Sequence, residues 1–255
     1  MRVIRWGMLR SILEPEMVSA LPGGNVVLTF DDGPNPYRDT SSRLLGVLRE
    51  AEVRAIFCPV GRYAVQEPEL VRQLVGEGHL VANHTFEHRL LPLCGRRKLR
   101  EEIERGAELL SCLAGDSLQP LFRPPFGIYD GRVEAYCRQA GLRMCSLTAF
   151  HFDTLYRPAR WDLLIRRILR DLKRSNGGVI VLHERICVDG VFRKERVRPD
   201  GLLDRSWVPD AVRELVRGLR AKGFSFDPEP YLRLREAGKG MGPTHSGDSP
   251  VHTGS

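Results

Sequence analysis

The sequence predicts an α/β fold in which short buried strands alternate with amphipathic helices. Two observations carry that expectation. Short apolar runs rich in Val, Ile and Phe recur at 26–30, 54–58, 79–82, 142–147, 178–182 and 224–226, as expected of buried strands. Between them lie segments of helical periodicity at 40–51, 68–77, 96–113, 131–140, 161–175 and 209–222. Alternation of this kind makes a parallel sheet, either open or closed into a barrel.

Each element has local support. In 96–113, Leu99, Ile103, Ala107, Leu110 and Leu113 recur at the spacing of one helix face. Gly78, Gly141 and Gly223 stand where a helix stops and a strand begins, the position at which glycine is favoured as a C-terminal stop. The polar, basic segment 184–208 reads as an insertion looping over the site. The closing stretch GKGMGPTHSGDSPVHTGS is rich in Gly, Ser and Pro and too polar to pack, so its His245 and His252 are poor ligand candidates. The expected organisation is an N-terminal extension over 1–24, one domain over 25–233 and a tail over 234–255.

Composition narrows the class. A chain of 255 residues that is 42% hydrophobic has enough apolar material for one large core. No apolar run approaches the roughly 18 residues of a membrane span. The first 24 residues show neither an unbroken apolar core nor a small-residue cleavage site, which makes the cytoplasm the default compartment. None of the six cysteines forms a C-x-x-C, so reduced and mostly buried thiols are expected. The net charge of +7 is spread over many helices with Glu interleaved, as in Arg97-Lys98-Leu99-Arg100-Glu101-Glu102; this is not the basic stripe of a nucleic-acid binder.

Ligands of parallel α/β proteins gather beyond the carboxyl ends of the strands, and the residues found there carry chemistry. The first strand runs into Asp31-Asp32-Gly33-Pro34, either a solvated turn or a pair of working carboxylates. The third runs into Asn83-His84-Thr85-Phe86-Glu87-His88; on a helix, the two histidines would share one face and reach one metal. The H-E-x-x-H motif is absent, because position 85 is Thr, so a base must come from elsewhere. One Asp with His84 and His88 gives a two-His, one-carboxylate metal site, and the other Asp can deprotonate a water. A later strand end reads Arg123-Pro124-Pro125-Phe126-Gly127. Its Arg can keep a carboxylate ionised, and only Phe126 or Gly127 can offer a backbone N–H to an oxyanion. A last apolar run ends in His183-Glu184, the place for a general acid.

Thr29-Phe30-Asp31-Asp32-Gly33-Pro34, then N-H-T-x-x-H over 83–88, then Arg123-Pro124-Pro125-Phe126-Gly127, then Leu182-His183, in this order, resemble the polysaccharide deacetylases of the NodB homology type, family four of the carbohydrate esterases. The resemblance covers roughly 25–231. It implies a distorted (β/α) barrel of about seven parallel strands and a metal-dependent hydrolase that removes acetyl groups from N-acetylated sugars of a poly- or oligosaccharide. It further implies a divalent metal, Zn with Co or Ni as alternatives, held by Asp32, His84 and His88. Asp31 would be the catalytic base and Arg123 would hold it. His183 would be the general acid, paired with Asp153. Phe126 would give the oxyanion N–H, and Val181 would line the pocket for the acetyl methyl. Thr154 departs from the family, whose members usually carry Trp there; Phe150, Phe152 or Tyr156 are candidate stacking surfaces instead, and His151 is read as structural. A glycan-binding protein without catalysis and a hydrolase of other C–N bonds are the competing readings.

Overall fold

A computed structural model of the protein describes residues 21–145, 147–148, 151–187 and 197–237. Its strands are β1 (Val26–Asp31), β2 (Ile56–Cys58), β3 (Leu80–Asn83), β4 (Leu118–Phe122), β5 (Arg143–Met144) and β6 (Gly178–His183). Its helices of a full turn or more are α1 (Thr40–Glu50), α2 (Gly61–Gln66), α3 (Pro68–Gly76), α4 (Arg96–Ala114), α5 (Gly131–Gln139), α6 (Trp161–Ser175), α7 (Val208–Arg220) and α8 (Glu229–Ala237). The strands form one parallel sheet in the order β5-β4-β3-β2-β1-β6.

The two-residue period of a strand sorts side chains between two cores. Val26, Leu28 and Phe30 of β1 and Ile180 and Leu182 of β6 pack outward against Leu44, Leu48, Leu164, Ile168, Val212 and Leu215 of the helices. Val27, Ile56, Cys58, Leu80, Ala82, Leu121 and Val179 pack on the opposite, inner face, closed off by Leu21 and Tyr231. Alternation therefore assigns Thr29 and Asp31 of β1, and Val181 and His183 of β6, to the inner face. The β1–β6 register places Thr29 beside Val181 and Asp31 beside His183.

The sheet curls and is closed without a regular strand. The Thr148 N–H donates to Val179 O at 3.1 Å, and the Val179 N–H donates to Thr148 Oγ1 at 2.8 Å, joining the segment after β5 to β6. Gly178 permits this approach, since a Cβ there would sit 2.2 Å from Thr148 Oγ1. The result is the expected distorted barrel, with six strands in place of about seven. The missing strand is 224–226, reduced to a single parallel bridge between Asn25 and Ser225. There the Asn25 side chain takes over the ladder, accepting from the Asp227 N–H and donating to Asp227 O, and Pro228 has no N–H with which to continue it. The expected strand 142–147 likewise shrinks to Arg143–Met144.

The six expected helices are present with ends within two residues of expectation. α2 and α8 were not anticipated, being short and without a clear apolar stripe. Most of the expected N-terminal extension and of the tail, with His245 and His252, lies outside the described residues. Among the described residues no helix is long and apolar enough to cross a membrane.

Candidate active site and metal centre

The carboxyl ends of β1, β3, β4 and β6 converge on one cavity of about 380 Å³. Its floor holds Asp31, Asp32, His84, His88, Arg123, Val181 and His183. Asp32 stands at φ 69, a left-handed conformation that Asp tolerates better than most residues. Its Oδ2 accepts the Cys187 N–H at 2.8 Å. Its Oδ1 faces His84 Nε2 at 3.3 Å and His88 Nε2 at 3.2 Å.

The histidines do not meet on a helix. Residues 84–88 form an irregular turn, with Thr85 at φ 66 and His88 at φ 57, and the turn brings the imidazole centroids to 4.8 Å. α4 supports it from behind. The Phe86 N–H donates to Glu102 O at 3.0 Å, the Glu87 N–H to Glu102 Oε2 at 2.8 Å, and Asn83 Nδ2 to Ile103 O at 2.9 Å. Within the turn, the Thr85 N–H donates to Asn83 Oδ1 and the His88 N–H to Thr85 Oγ1. A Cβ on Gly106 of α4 would lie 2.6 Å from Asn83 Oδ1, so the close approach needs a glycine.

The donor set fits a divalent cation. Asp32, His84 and His88 each bring one ligand atom to within 4.8 Å of the others, and all three are buried. Asp32 Oδ1 and His84 Nε2, which face each other, lack any hydrogen-bond partner, an arrangement that costs free energy unless something else binds there. His84 Nδ1 lies 2.7 Å from Arg123 O. A carbonyl only accepts, so Nδ1 carries the proton in this contact, and Nε2 is the ring atom turned toward Asp32. Burial pushes His88 down to about 4, against the pull of Asp32, which leaves a neutral imidazole able to ligate. Burial works to raise the Asp32 carboxyl, but His88, His84 and His183 outweigh it and hold the group far below the carboxylate range.

Arg123 is buried beside this centre. Its Nη2 donates to Thr29 Oγ1 at 2.9 Å, and Thr29 Oγ1 donates in turn to Ile180 O. Its Nε stands 3.7 Å from Asp31 Oδ2, an ion pair without a hydrogen bond. Burial opposes the guanidinium charge; Asp31 reverses that and holds it firmly.

Across the cavity, His183 Nδ1 donates to Asp153 Oδ1 at 2.7 Å, and the His183 N–H donates to Asp153 Oδ2 at 2.7 Å. Burial works against the imidazolium, but Asp153, with Asp32 and Asp31 further off, raises His183 to about 9. Asp153 itself is held low: burial is overcome by His183 and Arg205.

Phe126 sits at φ 60 in the turn after β4, with its ring centroid 4.6 Å from that of His88. The Gly127 N–H is already bonded to Pro124 O at 3.0 Å, which leaves Phe126 of the two oxyanion candidates. The outer wall includes Phe152, Thr154, Leu155, Ile186 and Leu202. Phe152 is 55% exposed and faces the cavity, whereas Tyr156 packs on the helix core and accepts from Arg167; Phe150 lies outside the described residues. His151 turns to Asp171 at 3.3 Å, away from the metal set.

Three contributors escape sequence reasoning, all in the segment taken for a looping insertion. Within it Glu184, Cys187, Asp204, Arg205 and Trp207 are buried. Arg205 bonds to Asp153 and His183, and the Cys187 N–H orients Asp32. Glu184 accepts from Ser41 Oγ and fills the space above Gly33, where a Cβ would lie 1.7 Å from its Oε1. Burial pushes the Glu184 carboxyl up to about 7. No local pattern marks these residues; only their partners, far off in sequence, do.

The fold and the paired centres at its strand ends define the class, a metal-dependent hydrolase. The model of the polysaccharide deacetylase family matches residues 19–145. A chitooligosaccharide deacetylase from a Bradyrhizobium strain is 31% identical, over 82% of this chain and 90% of its own length. A peptidoglycan-N-acetylglucosamine deacetylase from Bacillus cereus is 27% identical, over 86% of this chain and 94% of its own. Among solved structures, a family 4 carbohydrate esterase from Streptomyces lividans in complex with acetate matches with a TM-score of 0.64 at 27% identity, covering 81% of this chain and 95% of its own. The chain belongs to the polysaccharide deacetylase family.

Proposed function

We propose that the protein hydrolyses the acetamide of N-acetylated amino sugars in a poly- or oligosaccharide, releasing acetate and a free amine. The observation that carries the reading is the meeting, in one cavity, of the Asp32–His84–His88 set with Asp31 on one flank and His183 on the other. When bound, a divalent metal, Zn with Co or Ni also suited, supplies Lewis-acid polarisation of the carbonyl and lowers the pKa of water toward about 7. Asp31 takes the proton from the attacking water as the new C–O bond forms. Arg123, with its Nε 3.7 Å from Asp31 Oδ2, holds that carboxylate at the strand end. The Phe126 N–H donates to the developing oxyanion, and Val181 shapes the floor against the acetyl methyl. As the C–N bond breaks, His183 gives its proton to the departing amine. Asp153, accepting from His183 Nδ1, holds the ring so that Nε2 faces the cavity.

Acetate release from chitooligosaccharides and peptidoglycan fragments by the metal-loaded protein tests the reading. A folded, metal-loaded protein that releases no acetate from any acetylated glycan would overturn it. One observation favours a second reading, a hydrolase of smaller amides: beyond the floor, the wall is mostly apolar, with Leu155 and Leu202 exposed and Thr154 in place of the family Trp. A panel of simple N-acyl amides separates the two, since cleavage of these without the sugars would favour the second.

A further inference from the structure

We propose that Arg205 is a positioning residue for leaving-group protonation, acting on His183 through Asp153; the proposal rests on the deacetylase reading above. Arg205 is 0% exposed and does not line the cavity, so it is not placed to touch substrate. Its three nitrogens serve three different acceptors. Nε donates to His183 O at 2.9 Å, Nη1 to Asp153 O at 3.0 Å, and Nη2 to Asp153 Oδ2 at 2.5 Å. Asp153 Oδ2 also accepts the His183 N–H, and Oδ1 accepts from His183 Nδ1. The guanidinium thus ties the turn that carries Asp153 to the end of the strand that carries His183. With Arg205 in place, the Asp153 carboxylate has one orientation, the one that aims the imidazole into the cavity. Its fork shape matters, because an ammonium at the same point cannot span three acceptors in a plane.

The arginine is itself fixed. It follows Asp204, whose Oδ1 accepts from the Ser206 N–H and Oγ and whose Oδ2 accepts from the Asp200 N–H, closing a tight turn. The guanidinium lies over the buried Trp207 ring, with Cζ 4.4 Å from its centroid. A buried ion pair by itself is weak evidence of a role, since such pairs are often replaceable without loss of stability. What separates positioning from scaffolding here is chemistry: a group that only orients the proton donor matters in proportion to the leaving group's need for a proton.

The test compares the metal-loaded wild type with Arg205→Met, Asp153→Asn and the double variant on two substrates. An N-acetylated chitooligosaccharide expels an amine that must be protonated; 4-nitrophenyl acetate expels a phenolate that need not be. Arg205→Met is expected to lower kcat on the sugar by about 10- to 100-fold, within the range of general-acid contributions, with KM nearly unchanged. Its rate on 4-nitrophenyl acetate and its metal content should stay within about twofold of wild type, and the double variant should be no worse than Asp153→Asn alone, because residues acting as one unit are not additive. Equal losses on both substrates, or additive losses in the double variant, would overturn the assignment. If Arg205→Met does not fold, Arg205→Lys is read by the same ratio, with a smaller but equally selective loss expected and an unselective one overturning the proposal. A wild-type protein that cleaves the ester but no sugar would instead overturn the deacetylase reading.

Discussion

The two sides of the cavity are built on opposite principles. On the Asp32 side, buried polar atoms stand without partners: Asp31 Oδ1, Asp32 Oδ1, His84 Nε2, His88 Nδ1 and Arg123 Nε. On the His183 side, both oxygens of Asp153 and both nitrogens of its bonding to His183 are matched, and Arg205 completes the set. Leaving a buried donor or acceptor unpaired costs about 1–3 kcal/mol. The first side therefore stores an affinity for ligands, whereas the second has spent its hydrogen bonds on holding one side chain still.

That contrast can be broken from either side. The largest effect is expected from His84→Ala, which removes one of three ligands: metal analysis should show occupancy lost together with acetate release, while the fold persists by circular dichroism. Metal retained by this variant would remove the basis of the contrast. Asp31→Asn should keep its metal yet lose roughly 10³- to 10⁴-fold in acetate release, since a base and not a ligand is lost; unchanged turnover would sink the mechanism. Asp153→Asn sharpens the other side through stability in the metal-free protein. His183 is raised from 6.5 to about 9, so its pairing with Asp153 stabilises the fold fully below pH 6.5, and that contribution is lost as pH rises through about 9. Urea unfolding across this window should show the decline in wild type and a flatter profile in Asp153→Asn. The smallest effect belongs to the wall. Phe152→Ala should raise KM by no more than about fivefold, roughly 1 kcal/mol, at constant kcat, as expected when only uniform binding is lost.

The sequence makes the first side legible and the second only in part. Asp31, Asp32, His84 and His88 lie in compact motifs at strand ends, where short-range spacing announces them, and the α/β alternation that positions them is itself periodic. The geometry that joins the two histidines is not legible from spacing alone, because i, i+4 suits a helix while Asn83, Thr85 and α4 impose a turn. Arg205 and Glu184 were invisible for a different reason. Each is buried through partners that no spacing rule connects, Asp153 in one case and Ser41 in the other. The seventh strand is cut to one bridge, beyond which the Asn25 side chain, and no further strand pairing, meets Asp227.

The strand order has a consequence for how the protein is made. β1 lies between β2 and β6, so one of its edges pairs with a strand that closes at residue 183. During synthesis, Asp32, His84 and His88 with the supporting α4 emerge well before the residues that cover that edge, whereas Cys187, whose N–H orients Asp32, follows them. Until β6 docks, β1 keeps an open backbone edge, the kind of surface on which chains aggregate, and Asp31 has no His183 beside it. Pairing across so long a stretch of chain is slow relative to local contacts. Until β6 and the residues that follow it are in place, the cavity lacks His183, the Cys187 N–H that orients Asp32 and the Arg205 bonds to Asp153.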